Sequence, residues 1–187
     1  MPITSNELTK SYSGIFGNQV YLKNKNGRSV MTIPQTRSDK PLSKKQVTVR
    51  QAFSDAAKYA KKIRKEFPDL WADYVAKSGN GLTPHVVAMA DYLKPPVVVA
   101  IDASSYEGKE GDMIRVEARD DFEISTVSVL IKDSNGTKIE KGLCELNGRT
   151  SRYEFIATVA VSNLTGVTIT AIAEDYPSNK TKLTITL

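Results

Sequence analysis

The chain has 187 residues, of which 40% are hydrophobic and 25% charged; this is the composition of a folded globular protein and excludes a disordered one. No apolar run approaches the roughly 20 residues that a membrane helix needs, and the first residues lack the apolar region of a secretory signal, so we expect synthesis and retention in a cytoplasm. The net charge of +5 divides into +9 for residues 1–94 (16 Lys and Arg, 7 Asp and Glu) and −4 for residues 95–187 (10 and 14), which indicates either an anionic partner for the basic half or attraction between the halves.

The first predicted element is a β-hairpin within residues 14–36. Val20 and Leu22 alternate with polar residues, and Asn26-Gly27 is a strong signal for a two-residue turn before the returning strand. A single hairpin is marginally stable in water, so it must pack on the helices or pair with another chain. Three basic residues crowd the turn, where they keep the strand edge soluble or contact phosphates: Lys23, Lys25 and Arg28.

A long amphipathic helix is predicted next, from a cap at Ser43 to about Lys65. Its apolar residues recur at helical spacing as one stripe that we expect to be buried: Val49, Phe53, Ala56, Ala57, Ala60 and Ile63. Its basic residues lie mostly outward: Lys44, Lys45, Arg50, Lys58, Lys62 and Lys65. A charged outward face is the ordinary state of a surface helix, and the same residues are candidate contacts for an anionic partner.

Two shorter helices follow, and a double proline then marks a domain boundary. Pro68 restarts a helix, and Thr83 is a cap before a third helix predicted over Pro84 to Leu93. The apolar side of this third helix is predicted to hold Val86, Val87, Ala90 and Leu93. Because Pro95-Pro96 cannot continue a helix, we predict a basic α+β domain of one hairpin and three helices over residues 1–94 and a second domain over residues 95–187.

Everything after the double proline is strand-like. Seven short runs of alternating apolar and polar residues, separated by turn signals and without a helical pattern, predict an all-β immunoglobulin-like sandwich of about seven strands. The stretches GDMIRVEARDDFEISTVSVLIKDSNGTKIEKG and TAIAEDYPSNKTKLTITL resemble the bacterial Ig-like and fibronectin-like modules of extracellular and virion proteins. The resemblance implies the architecture alone, because the Cys and Trp pattern of antibody domains is missing.

Two acidic pairs, Asp120-Asp121 and Glu174-Asp175, follow the second and sixth of these strands and share one end of the predicted sandwich. Carboxylates are candidate calcium ligands, but these are few and no Asp-x-Asp-x-Asp pattern is present, so we predict no metal. Attraction to the basic first domain is the better interpretation, and exposed pairs of this kind orient domains without locking them.

No residues indicate catalysis or cofactor binding. His85 and Cys144 are the only residues of their types and lie in different predicted domains, and no Gly-x-Ser-x-Gly elbow or phosphate-binding glycine loop occurs. Cys144 stands among apolar neighbours, where a buried, inert thiol is expected. The sequence therefore predicts a protein that is not an enzyme and takes no cofactor.

The first half also carries a modest motif. In SGIFGNQVYLKNKNGRSVMTIPQT a glycine-bounded hairpin with a KNKNG turn precedes a Ser-x-x-Gln-x-x-x-Arg-x-x-Phe helix, formed here by Ser43, Gln46, Arg50 and Phe53. Over about the first 93 residues this pattern resembles small phage and prophage proteins, especially from phages of Bacteroidetes and some Gram-positive bacteria. The resemblance implies a virion component or a protein encoded beside virion genes, and Ig-like modules are common on phage head and tail proteins.

We therefore predict a non-enzymatic virion assembly protein, a head or tail accessory made in the bacterial host cytoplasm, which contacts other virion subunits in multiple copies. An alternative is a DNA-binding protein that uses the basic first domain. No zinc, homeodomain or RNP motif is visible, so such binding would act through phosphates and depend steeply on salt. A third interpretation is a cell-surface adhesion module. No membrane contact and no small-molecule substrate are predicted.

Overall fold

A computed structural model describes residues 13–17, 19–25, 28–34, 41–79 and 81–187, with the backbone alone at residues 25 and 28. These residues form an α+β fold of a three-stranded sheet, three helices and two four-stranded sheets. They group into two compact units: the first holds the described residues up to Val49 with Gly79 and Gly81, and the second holds Arg50–Ser78 and Leu82–Leu187. The domain boundary predicted after residue 94 divides the chain elsewhere and stays a prediction.

The three-stranded sheet is antiparallel, in the order β1-β2-β3. Its strands are β1 (Gly14–Phe16), β2 (Val20–Lys25) and β3 (Arg28–Thr32). The register pairs Lys25 with Arg28, which confirms the predicted hairpin; the turn residues 26 and 27 lie outside the described residues. Strand β1 was not predicted, because three residues are too few to show a period.

All three predicted helices are confirmed: α1 (Lys44–Glu66), α2 (Pro68–Ala76) and α3 (Pro84–Leu93). A reciprocal cap begins α1, because Ser43 Oγ accepts from the Gln46 N–H at 3.3 Å and Gln46 Oε1 accepts from the Ser43 N–H at 2.9 Å. At α3, Thr83 Oγ1 accepts from the Val86 N–H at 3.4 Å, which satisfies one of the free donors of the first turn.

The apolar stripe of α1 is buried only in its second half. Ala56 and Ala60 are fully buried and Ile63 is nearly so, whereas Val49 is 54% exposed and Phe53 is 53% exposed. The prediction of a continuous buried stripe is therefore wrong for the first turns of this helix. Periodicity shows which face of a helix is apolar, but neighbouring elements decide how much of that face is covered.

Two four-stranded antiparallel sheets follow the helices, in the orders β4-β5-β9-β8 and β11-β10-β6-β7. Their strands are β4 (Val97–Asp102), β5 (Met113–Arg119), β6 (Ile124–Lys132), β7 (Lys138–Leu143), β8 (Glu145–Asn147), β9 (Arg152–Ile156), β10 (Thr168–Asp175) and β11 (Lys180–Thr186). Each of the seven predicted runs overlaps one of these strands. The short strand β8, which pairs with β9, is additional.

One hydrophobic core is shared by the two four-stranded sheets. Alternate residues of β5, β6 and β10 point into it, as the period-two pattern predicts: Ile114, Val116, Ala118, Val127, Val129, Ile131, Ile169, Ala171 and Ala173. Full burial of one Val or Ile side chain contributes roughly 1.5–3 kcal/mol, so this core is the main source of stability in the β region.

A second, smaller cluster joins the helices to the loop between β5 and β6. Its buried members are Ala60, Ile63, Tyr74, Ala88 and Phe122. Because Phe122 comes from the loop, the packing of this cluster ties the helical segment from Arg50 onward to the sheets within one compact unit.

The buried side of α3 differs from the predicted one. Ala88 and Asp91 are buried, whereas Val86 is 45% exposed and Ala90 is exposed. The predicted side rested on hydrophobicity, and a buried aspartate reverses that expectation because its cost is offset by a hydrogen-bond partner on another helix.

Candidate functional site

The basic residues predicted on α1 are all exposed: Lys44, Lys45, Arg50, Lys58, Lys62 and Lys65. Helical spacing puts Lys58, Lys62 and Lys65 on the side opposite the buried Ala56. The Nζ atom of Lys58 lies 2.9 Å from Asp55 Oδ1, so part of its charge is neutralised within the helix. The remaining basic side chains are available to an anionic partner.

The basic residues predicted near the hairpin turn are only partly described. The Lys23 side chain is exposed, and its Nζ lies 5.6 Å from the centroid of the Tyr21 ring, within cation–π range. For Lys25 and Arg28 the structure gives the backbone pairing at the end of β2 and the start of β3. Their role as contacts stays a prediction.

Two of the acidic residues predicted to face the basic half lie in the loop after β5. Asp121 Oδ2 is 2.5 Å from Lys94 Nζ, and both side chains are exposed. Asp120 Oδ2 accepts from the N–H groups of Phe122 and Glu123 at 3.1 and 2.9 Å, so it holds the turn that presents Phe122. Of this pair, Asp121 contacts a basic residue from residues 1–94.

The other acidic pair lies at the end of β10 and has local partners. Glu174 is 3.1 Å from Lys180 on β11. Asp175 is buried and accepts from the backbone and side-chain N–H groups of Asn179, whose Nδ2 also lies 3.1 Å from the Tyr92 carbonyl of α3. In the part of the chain that the structure describes, no three His, Cys, Asp or Glu side chains are grouped so as to hold a metal ion.

A buried polar network that was not predicted from the sequence joins the three helices. Tyr74 on α2 is fully buried and its hydroxyl donates to Asp91 Oδ2 on α3 at 2.5 Å. The Tyr59 hydroxyl on α1 lies 3.0 Å from that of Tyr74. Asp91 is 3% exposed, and its Oδ1 has no hydrogen-bond partner among the described residues. A single aspartate inside the apolar run VVAMADYL was the available sequence signal.

Burial controls the protonation of this network. The pKa of Asp91 is raised to about 7, chiefly because burial removes its solvation. The hydrogen bond from Tyr74 lowers this pKa, the nearby Asp120 and Asp175 raise it, and Lys77 lowers it. Burial also raises the pKa of Tyr74, so Tyr74 remains a donor while Asp91 changes charge near neutral pH.

Phe122 connects this network to the sheets. Its ring stacks on Tyr74 at a centroid distance of 4.3 Å and meets Tyr176 edge-on at 6.4 Å. Lys77 Nζ lies 4.2 Å from the centroid of the same ring and donates a hydrogen bond to the Phe122 carbonyl. The network is therefore a structural link between α2 and the β5–β6 loop rather than a solvent-accessible site.

Cys144 lies between β7 and β8 and is partly buried against the core of the sheets. Burial raises the pKa of its thiol to about 12, so the thiol stays protonated at neutral pH. This agrees with the expectation of an unreactive thiol.

An apolar surface is exposed on the three-stranded sheet. Phe16, Met31 and Ile33 are each more than 60% exposed. The register places Phe16 opposite Val20 and Met31 opposite Leu22, which puts Phe16 and Met31 on one face of the sheet, and Ile33 comes directly after β3. We call the three exposed residues Phe16, Met31 and Ile33 the hairpin surface.

Two further surfaces combine apolar and charged side chains. One is a stripe along α1, called the helix stripe, made by Arg50, Phe53, Ala57 and Lys61 at spacings of three and four residues. The other is a groove of about 340 Å³ at the edge of the sheet that ends in β8. This edge groove is lined by Leu143, Glu145, Leu146, Asn147, Glu154 and Ile156.

Comparison with known proteins found no family model and no curated protein that matches this chain. In the described ranges, none of the helices is both long and apolar enough to cross a bilayer. The function is therefore inferred from the exposed surfaces and the charges that surround them.

Proposed function

We propose that the protein is a non-enzymatic structural or assembly component of a bacteriophage particle, a head or tail accessory that acts by contacting other protein subunits. The observation that carries the proposal is the hairpin surface, where Phe16, Met31 and Ile33 are 78%, 64% and 82% exposed. A small sheet needs a covered apolar face to be stable in water, so this surface is suited to burial against a neighbouring subunit.

Two further observations support a place in the virion. The first 93 residues resemble small phage and prophage proteins in their hairpin turn and in the pattern of Ser43, Gln46, Arg50 and Phe53. The order β4-β5-β9-β8 corresponds to strands A, B, E and D of an immunoglobulin-like sandwich, and β11-β10-β6 corresponds to G, F and C, with β7 as an extra strand beside C. These orders support an Ig-like module of the kind that phage head and tail proteins often carry.

In a particle the same surfaces recur on every copy of the protein. Linked contacts raise the effective concentration of each other, so contacts that are weak singly hold a subunit on a lattice. The proposed partners are therefore other virion subunits, bound in multiple copies through the hairpin surface.

Purified particles from a phage that encodes the chain test this proposal. After density-gradient purification and a high-salt wash, quantitative mass spectrometry should find the wild-type chain in a constant ratio to the major shell protein. The F16S/M31S variant should be expressed but lost from the particles, while V75S/V86S, which changes two other exposed apolar residues, should be retained. Absence of the wild-type chain from washed particles contradicts the proposal.

The exposed basic side of α1 supports a second function, contact with DNA phosphates. Lys62 and Lys65 are both exposed and lie on one side of the helix. Each lost phosphate contact should reduce the slope of log affinity against log salt by about 0.9, so K62Q/K65Q should reduce it by about two. Filter binding of duplex DNA measures this slope, with K138Q/K141Q on β7 as the matched control. No retention of DNA by the wild type at low salt contradicts this function.

A further inference from the structure

The edge groove lies where the sheet β4-β5-β9-β8 ends. Strand β8 pairs with β9 on one side, and no described strand pairs with its other side. Three large apolar side chains remain open there, Leu143 at 69%, Leu146 at 59% and Ile156 at 57% exposed. An apolar concave edge of this kind marks a contact surface rather than ordinary scattered exposure.

The charge of the edge groove is negative and incompletely neutralised. The register places Glu145 directly opposite Glu154, and like charges in that position repel each other. Glu154 has a partner, because its Oε1 lies 3.6 Å from Nε of Arg115, whereas Glu145 has no ion-pair partner among the described residues. The groove therefore favours an apolar side chain that is accompanied by a positive charge.

The helix stripe supplies that combination. Phe53 is 53% exposed, with the exposed Arg50 one turn before it and the exposed Lys61 two turns after it. Aromatic residues, including phenylalanine, and arginine are enriched at the centres of protein interfaces. Helix stripe and edge groove are thus complementary in both polarity and charge.

We propose that the helix stripe of one copy docks in the edge groove of a second copy, so that the protein associates head to tail. The occupant is a second copy because the same chain carries both complementary surfaces, and the net charges of +9 and −4 for residues 1–94 and 95–187 favour their encounter. This inference rests on the proposed function, since it names one partner of the assembly protein as the protein itself.

Head-to-tail contacts leave one free helix stripe and one free edge groove on every open assembly. Such heterologous interfaces build rings or filaments and do not stop at a two-fold dimer. Each contact is small and charged, so association should be weak, concentration dependent and reduced by salt.

Two complementary variants of the full chain test the inference by sedimentation velocity. The helix variant, R50S/F53S, keeps the edge groove, and the edge variant, L146S/I156S, keeps the helix stripe. Wild-type protein should form species larger than dimers, each variant alone should be monomeric, and the equimolar mixture should form a one-to-one dimer and nothing larger. Phe53, Leu146 and Ile156 are more than half exposed and Arg50 is exposed, and circular dichroism with thermal unfolding verifies that both variants fold.

Other outcomes overturn the inference. If the edge variant alone forms dimers, the helix stripe pairs with itself; if the helix variant alone does so, the groove pairs with itself. A wild type that stays monomeric at high concentration overturns it as well. V75S/V86S serves as the control and should associate like the wild type.

A charge exchange gives an independent readout. R50E and E145R should each weaken association, and the R50E/E145R chain should regain it, because the exchanged charges attract again. Failure of the exchange to restore association overturns the pairing of these two residues. A chain that is monomeric in solution but present in washed particles overturns the head-to-tail inference alone, whereas a chain absent from particles contradicts the proposed function.

Discussion

The two buried regions of the second compact unit are stabilised in different ways. The core of the sheets is mainly aliphatic, with Ile114, Val129 and Ile169 fully buried. The helical cluster is smaller, and at its centre a fully buried Tyr74 donates to a carboxylate of Asp91 that is itself 3% exposed. Burial of apolar area does not depend on pH, whereas burial of an acid does.

The stability of the two regions should therefore respond differently to mutation and to pH. Packing in the sheets comes mainly from aliphatic side chains, so its contribution to stability should respond chiefly to changes of side-chain volume. The helical cluster includes a carboxylate oxygen without a partner among the described residues, so its stability should respond to protonation as well. The helices are therefore the part of this unit whose packing changes with conditions near neutral pH.

Removing side-chain volume from the apolar core should have the largest effect. Ile169→Ala leaves a cavity in a closely packed layer and should lower the free energy of unfolding by about 4 kcal/mol. Ile63→Ala in the helical cluster should cost about 2 kcal/mol, because its partly exposed neighbours can close around the gap. Urea unfolding at one pH measures both, and equal losses would contradict the distinction between the two regions.

The next effect in size should come from pH, which should change the stability of the helical cluster more than that of the core of the sheets. The pKa of Asp91 is 3.8 ordinarily and about 7 in the folded protein, so the folded state binds more protons than the unfolded state between these values. The stabilisation that Asp91 contributes is fully present below pH 3.8, and it is lost as the pH rises through about 7. A shift of this size corresponds to an expected loss of roughly 4 kcal/mol.

Asp91→Asn is the matched variant for this dependence, since it keeps the shape and removes the charge. Its free energy of unfolding should exceed that of the wild type at pH 8 and should vary much less between pH 4 and 7. Asp175, whose pKa burial also raises, contributes the residual slope with the same sign. The Ile169→Ala variant should retain the wild-type pH profile; a flat wild-type profile would show that Asp91 is not buried as an acid.

The sheets could be predicted from the sequence because their physics is local and periodic. Alternation in β5, β6 and β10 indicates which residues are buried, and caps such as Ser43 and Thr83 indicate where helices begin. Strand β8 was missed because three residues show no period and depend on β9 for pairing.

The candidate surfaces and the buried network could not be predicted, because each depends on contacts between distant residues. Asp91 is buried only because Tyr74, on another helix, satisfies one of its oxygens. Phe53 continues an apolar stripe whose later members are buried, and nothing in the periodicity indicates that its own position is left open. Glu145 and Glu154 are unremarkable in sequence until the register places them side by side.

Removing the tyrosine hydroxyl should have a smaller effect on the network and should shift its titration. Tyr74→Phe preserves the ring that stacks on Phe122 and removes the donor to Asp91, which should cost about 1–2 kcal/mol. Because that hydrogen bond lowers the pKa of Asp91, the loss of stability with rising pH should move to higher pH. An unchanged midpoint in the pH profile would contradict this coupling. Tyr59→Phe is the control, because the Tyr59 hydroxyl contacts Tyr74 and not Asp91. This variant should shift the midpoint of the pH profile less.

The smallest effect is expected at the exposed ion pair between Lys94 and Asp121. Their atoms are 2.5 Å apart, yet the side chains are 65% and 69% exposed, so water and salt screen the attraction. The pairing raises the pKa of Lys94, but this lysine is charged at neutral pH in either case. Asp121→Asn should therefore leave the urea midpoint within error of the wild type at moderate salt. A clear loss of stability in this variant would show that the junction after α3 is held by charge, and the contrast between an apolar core and a proton-sensitive helical cluster would then need a third, ionic contribution.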